Sequence, residues 1–246
     1  ELIPKLEKEN LKLCSGWYGA NLLKNSVKEE LSLMKEQLDL FKECDTPCIV
    51  FAEVSRSIQG EAKTPLSKRP ILNKEEWKTF YYKINEISKH MEDSGMPLAY
   101  HHHMGTVVQS QEDTERLIDN TSDTVRLLID TGHMMFAGGD FVKIAKDYSS
   151  RLHHVHCKDI RKDVLENSLK DDLSFIDAFF AGAFTVPGDG CIDYEVFLKL
   201  LKNFNYNGWL VVEAEQDPRK ANPLEYGKIG FNHLKKIALN CGFDIT

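Results

Sequence analysis

Three consecutive histidines, His101, His102 and His103, close the apolar run Met96-Pro97-Leu98-Ala99-Tyr100 and precede Met104-Gly105-Thr106. In an extended strand successive side chains alternate faces, so His101 and His103 share one face and His102 takes the other. Neutral imidazoles converging on one cavity suit a divalent transition metal; the competing readings are a surface histidine cluster or packing histidines bonded to backbone. Other apolar runs also end in ionisable groups. Asp130 closes Arg126-Leu127-Leu128-Ile129 and leads into Thr131-Gly132-His133. His156 stands in Leu152-His153-His154-Val155-His156-Cys157-Lys158-Asp159, with His154 two residues back on the same face. Glu213 closes Leu210-Val211-Val212, and Glu215 follows two residues on. If these runs are neighbouring strands, their ends share one mouth, where buried charges without a cation are costly. Mixed imidazole and carboxylate donors favour manganese, cobalt, iron or zinc over calcium or magnesium. Taken singly, Asp130 is also a plausible helix N-cap and His156 a core histidine, whereas buried-type neighbours argue against a solvated Glu213.

The elements that would carry these groups alternate. Short apolar runs at Leu11–Cys14, Cys48–Glu53, Leu98–His103, Val125–Asp130, Leu152–Cys157, Phe184–Val186 and Trp209–Glu213 read as strands. Amphipathic segments near 26–44, 73–94, 110–119, 140–148, 193–203 and 223–240 read as helices. Leu31, Met34, Leu38 and Phe41 recur at helical spacing, Asn73 and Glu76 form a capping box, and Gly95 is a stop signal. Strand and helix in alternation without hairpin signals predict a parallel sheet with crossover helices in one domain over 1–246, an α/β barrel. Seven runs against the eight such a barrel needs, in a chain that opens in a helix, predict a first strand upstream of Glu1. The long segments 54–72 and 158–183 follow strand ends, where barrels of this kind build their sites.

Composition narrows the function. The 246 residues are 42% hydrophobic and 28% charged, ordinary for a globular chain with a sizeable core. A net charge of -7 argues against a nucleic-acid backbone as partner. No apolar run is long enough to span a membrane, and no signal-peptide pattern is present. Six scattered cysteines read as reduced thiols in a cytoplasmic protein. Two further pieces look like substrate machinery: the turn Thr185-Val186-Pro187-Gly188-Asp189-Gly190, and Lys158, Asp159 and Arg161, which could bind hydroxyls or an oxyanion. A tight turn and a solvated charge cluster are the plainer readings. Phe136-Ala137-Gly138-Gly139-Asp140 reads as a helix entry capped by Asp140, not as a dinucleotide site.

The order of Tyr100 to Thr106, Asp130-Thr131-Gly132-His133, His154 to Arg161, Phe184 to Gly190 and Val212 to Pro218 closely resembles the inosose dehydratases of myo-inositol catabolism. These belong to the wider xylose isomerase-like TIM (β/α)8 barrels, and the resemblance covers the chain from about residue 11. It implies metal ligands at Asp130, His156 and Glu213, with His133 beside the aspartate. Relatives usually place a glutamate on the strand that here ends in histidines, so the fourth ligand falls to His101, with His103 close behind. The resemblance implies dehydration of 2-keto-myo-inositol (scyllo-inosose) to a trihydroxycyclohexane-1,2-dione, supported by manganese or cobalt. It also brings glutathione, for which the sequence shows no motif, and a homo-oligomer, as expectations.

The chemistry needs a base for the α-proton and an acid for the departing hydroxyl. Glu213 and Glu53 are the candidate bases, and His103, His133 or Lys158 the candidate acids. Asp159, Arg161, Asp189 and Glu215 are candidates for binding the substrate, a cyclic polyol ketone. The alternatives are a keto-sugar isomerase or epimerase sharing the enolate, a metal-dependent phosphodiesterase acting on abasic DNA, which the acidic charge opposes, and a non-catalytic polyol-binding barrel.

Overall fold

The computed structural model describes residues 2–245. An amino-terminal helix, α1 (Leu2–Glu9), buries none of its residues and precedes β1 (Trp17–Ala20). The chain then alternates through α2 (Val27–Glu43), β2 (Ile49–Glu53), α3 (Lys74–Asp93), β3 (Leu98–His101), α4 (Gln111–Asp119) and β4 (Val125–Asp130). After α5 (Thr131–Phe136) and α6 (Phe141–Asp147) come β5 (Leu152–Cys157), β6 (Asp159–Ile160), α7 (Lys162–Lys170), α8 (Phe175–Ala181) and β7 (Phe184–Thr185). The last elements are α9 (Tyr194–Asn203), β8 (Leu210–Val212) and α10 (Pro223–Asn240).

Six strands make one parallel sheet in the order β1-β2-β3-β4-β5-β8. Register puts the chemistry together: Asp130 pairs with His156, and Cys157 pairs with Val212, so Glu213 comes next on the adjoining strand. The sheet curls, because Ser15, just before β1, reaches His154 of β5 with Oγ 3.1 Å from Nε2. Helices cover the outer face with the apolar stripes their spacing predicts: Met34, Leu38 and Phe41 of α2, and Trp77, Phe80, Ile84, Ile87 and Met91 of α3 are buried. Each such side chain contributes about 1.5–3 kcal/mol by burial. Capping boxes at Ser26–Glu29, Asn73–Glu76 and Ser110–Asp113 start α2, α3 and α4.

Two strand expectations are corrected. The first strand is Trp17–Ala20, not Leu11–Cys14, and Leu11 is exposed. Gly16 fixes the entry, since a Cβ there would stand 2.3 Å from the Phe41 ring of α2. Phe184–Thr185 is not a strand of the parallel sheet; β7 pairs antiparallel with β6 in a separate two-stranded ribbon. The sheet therefore has six parallel strands where seven were expected. The ribbon is held over its own apolar cluster of Phe136, Ile160, Phe175 and Phe184.

Candidate active site

The carboxyl ends of β3, β4, β5 and β8 bring His101, Asp130, His156 and Glu213 into one cluster, joined by Lys158, His133, His103 and Glu215. Asp130 is fully buried and divides its two oxygens. Oδ1 accepts the His133 N–H at 2.8 Å and caps α5, so the N-cap reading is correct for that atom. Oδ2 faces the cluster, 2.6 Å from Lys158 Nζ, 3.5 Å from His101 Nε2 and 3.7 Å from His156 Nδ1. His156 Nδ1 is 3.0 Å from Glu213 Oε2, and that oxygen also accepts a hydrogen bond from Lys158 Nζ.

The histidine triplet splits as strand alternation requires. His102 turns away from the cluster and its Nε2 accepts the Asp130 N–H at 3.2 Å. His101 Nδ1 donates to the His102 carbonyl, and His103 Nδ1 donates to the Met104 carbonyl at 2.8 Å. A carbonyl only accepts, so both rings carry their proton on Nδ1 and present an Nε2 lone pair. His101 shares a ligand-competent group with Asp130 and His133, whereas His103 groups with His133 and Glu215. His133 Nδ1 faces the Met104 N–H at 3.4 Å, which leaves the Nε2 proton aimed at Glu215 Oε2, also 3.4 Å away. Phe175 and Phe184 wall this pair, and Trp17 lies edge-on to His101 and His103 with centroids 5.5 and 5.6 Å away.

Burial and charge oppose one another here. Burial lowers the pKa of His101, His102, His103 and His133, so these rings are neutral. Burial would also lower His156, but its contacts with Asp130 and Glu213 outweigh that and raise it. Burial would raise Asp130 and Glu213, yet the Lys158 ammonium holds both below the usual carboxylate range. Those carboxylates and Glu215 in turn hold Lys158 protonated against its own burial.

The donors fit a divalent ion. Two acceptors, the His101 Nε2 lone pair and the Asp130 carboxylate, face each other, a contact that a bound cation relieves. His156 Nδ1 and Glu215 Oε2 are buried without a hydrogen-bond partner. Three carboxylates against one ammonium leave two negative charges for an ion to balance.

Other residues singled out from the sequence lie elsewhere or are committed. Glu53 ends β2 fully buried, with its oxygens accepting the N–H groups of Leu22 and Ser55. Burial raises its pKa, and the carboxylate orders backbone where a base was expected. Asp159 accepts the N–H groups of Ile160, Gly188 and Ile192. Arg161 donates to the Gly182 carbonyl, Thr185 Oγ1 and Asp189 Oδ2, closing the β6–β7 ribbon. Of the four expected substrate binders only Glu215 stands in the cluster. The fixing role of His102 and the double duty of Asp130 escaped the sequence, because both depend on which atom of a side chain points where.

The sequence matches the xylose isomerase-like TIM barrel family over residues 1–237, and the chain belongs to that family. It is 42% identical to the rhizopine catabolism protein MocC of Rhizobium meliloti over 98% of this chain and 74% of that protein. It is also 42% identical to an inosose dehydratase of Clostridium perfringens over 94% of this chain and 78% of the enzyme. Among solved structures, the IolI protein with a bound zinc atom superposes with a TM-score of 0.71 at 16% identity, covering 100% of this chain and 84% of IolI. The probable 3-DHS dehydratase AsbF of Bacillus anthracis gives 0.69 at 13% identity, covering 95% and 79%. At these identities the two likenesses are of fold.

Proposed function

We propose that the chain is a metal-dependent hydro-lyase of inositol catabolism, removing water from 2-keto-myo-inositol to leave a trihydroxycyclohexane-1,2-dione. One observation carries the reading: a chain 42% identical to inosose dehydratases gathers three carboxylates, an ammonium and neutral imidazoles at one buried mouth. His101, Asp130, His156 and Glu213 would hold a divalent ion, manganese or cobalt. Such an ion supplies Lewis-acid polarisation of a ketone, which makes the adjacent proton removable.

The remaining work falls to this chain's side chains. Glu215 offers a carboxylate oxygen with no hydrogen-bond partner, suited to accept the α-proton. His133, neutral and carrying its proton on Nε2, is placed to hand a proton to the departing β-hydroxyl. Lys158, held protonated by the carboxylates around it, offers a positive charge to the negative charge that develops on the carbonyl oxygen. Phe175, Phe184 and Trp17 supply apolar walls that exclude water from the enolate. Glu53 drops out as base because its oxygens are engaged with backbone.

Six unpaired cysteines suit a cytoplasmic setting. No helix among the described residues is long and apolar enough to cross a membrane. Incubating the manganese-loaded protein with scyllo-inosose should produce the dione chromophore, with and without added glutathione reading the thiol requirement. Epimerised ketose without dione would replace this reading with an isomerase. Loss of turnover on chelation, restored by manganese or cobalt, is the expected control.

A further inference from the structure

Lys158 follows directly on β5, and its side chain is buried at the centre of the cluster. Its ammonium touches Asp130 Oδ2 and Glu213 Oε2 and lies 3.7 Å from Glu215 Oε2. An ion held by Asp130, His156 and Glu213 would draw on the same two carboxylates that the ammonium bridges. An ammonium and a divalent ion drawn to the same two carboxylates repel at contact distance, so a bound ion drives the ammonium off those oxygens.

The base of the lysine cannot move aside. Its carbonyl accepts hydrogen bonds from Thr131 Oγ1 at 2.6 Å and Tyr194 OH at 2.8 Å. A Cβ on Gly132 would stand 2.6 Å from Lys158 Cβ, so the glycine makes room for this side chain. Only the outer methylenes are free to swing.

We infer that Lys158 is an internal counter-ion that competes with the metal for Asp130 and Glu213, and swings off their oxygens when the metal binds. The inference rests on the reading of Asp130, His156 and Glu213 as ion ligands. It makes the metal-free site a stable, charge-paired state and sets the affinity for the ion lower than the ligands alone would give.

The test is calorimetric titration of metal-free protein with manganese chloride, comparing wild type with Lys158→Met, Lys158→Gln, Lys158→Arg and Asp130→Asn. The neutral variants should bind manganese at least tenfold more tightly than wild type. Their metal-free melting temperatures should fall, and saturating manganese should raise their Tm more than it raises that of wild type. Lys158→Arg, which keeps a cation in place, should gain no affinity. If Lys158→Met fails to fold, Lys158→Gln supplies the same comparison. Equal or weaker binding by the neutral variants overturns the inference and makes Lys158 a support for the ligands. If wild type binds manganese equally well with Asp130→Asn, or not at all, the ligand assignment itself falls and takes this inference with it.

Discussion

Asp159 separates a keystone role from a ligand role most sharply. Its carboxylate is fully buried and accepts N–H groups from Ile160 at 2.8 Å, Ile192 at 2.9 Å and Gly188 at 3.1 Å. Gly190 passes so close that a Cβ there would lie 2.2 Å from Asp159 Oδ1. Asp159→Ala leaves three buried donors without an acceptor, at about 1–3 kcal/mol each. Local relaxation and water entry reduce the sum, so a loss of about 3–6 kcal/mol is expected, a large share of a typical 5–15 kcal/mol stability. Asp159→Asn keeps one acceptor oxygen and should cost about 1–3 kcal/mol, the price of one lost bond at Gly188. Burial raises the folded pKa of Asp159 above its unfolded value. The folded state thus binds the proton more tightly, so this group's contribution falls as pH rises through the folded pKa, and Asp159→Asn should remove that fall. Urea unfolding followed by circular dichroism reads the stabilities, and steady-state kinetics on the folded fraction read KM. A cost below about 1 kcal/mol for Asp159→Ala, set against the orphaned-donor estimate, would sink the keystone account. So would a large rise in KM for Asp159→Asn at unchanged stability.

Three shorter predictions follow from the same contacts. Glu215→Gln should lower kcat by about 10²–10⁴-fold with little change in KM, and should also slow exchange of the substrate α-proton with solvent deuterium, read by NMR; undiminished exchange would move the base elsewhere. His102→Leu leaves the Asp130 N–H without its acceptor and should cost about 1–3 kcal/mol in urea unfolding while the other histidines stay neutral. Burial lowers the pKa of His153, so its neutral form favours the folded state above the ordinary value and that stability drains away as pH falls below about 6.5. His153→Gln should flatten the acid limb of a stability–pH curve by less than about 1.4 kcal/mol per pH unit, and an unchanged slope would place this ring in water.

The helices α2, α3, α4, α6, α9 and α10 were legible because each states its own period and cap, as Asn73 and Glu76 do for α3, whereas α7 and α8 lie in the segment 158–183 read only as a long excursion. The four strand ends that meet in the cluster were legible because ionisable residues close buried runs there, although Glu53, which closes β2 in the same way, serves backbone instead. β1 was not legible, because Leu11–Cys14 mimics a strand while the real constraint is a packing contact between Gly16 and a helix more than twenty residues later. Phe184–Thr185 reads as a central strand for want of any local sign of pairing direction. Its partner is chosen by Arg161 and Asp159, whose bonds hold the ribbon together. Residue types thus announced the site, while atom-level commitments decided which members remain free for chemistry.

Those commitments explain how histidines can stand where the resemblance led us to expect a carboxylate. A fourth acid at His101 would face Asp130 Oδ2 beside Glu213 and Glu215, all within reach of a single ammonium. With imidazole there, one divalent ion suffices to balance the three carboxylates and Lys158. The His101 proton is parked on a backbone carbonyl, so its lone pair is available without any titration step. A site so composed would become neutral on binding the ion, and under the proposed function the polarising charge would act on the ketone oxygen instead of on surplus ligand anions. Hence His101→Glu should tighten manganese binding yet lower kcat, and a variant that gains both would show that ligand charge does not limit the reaction.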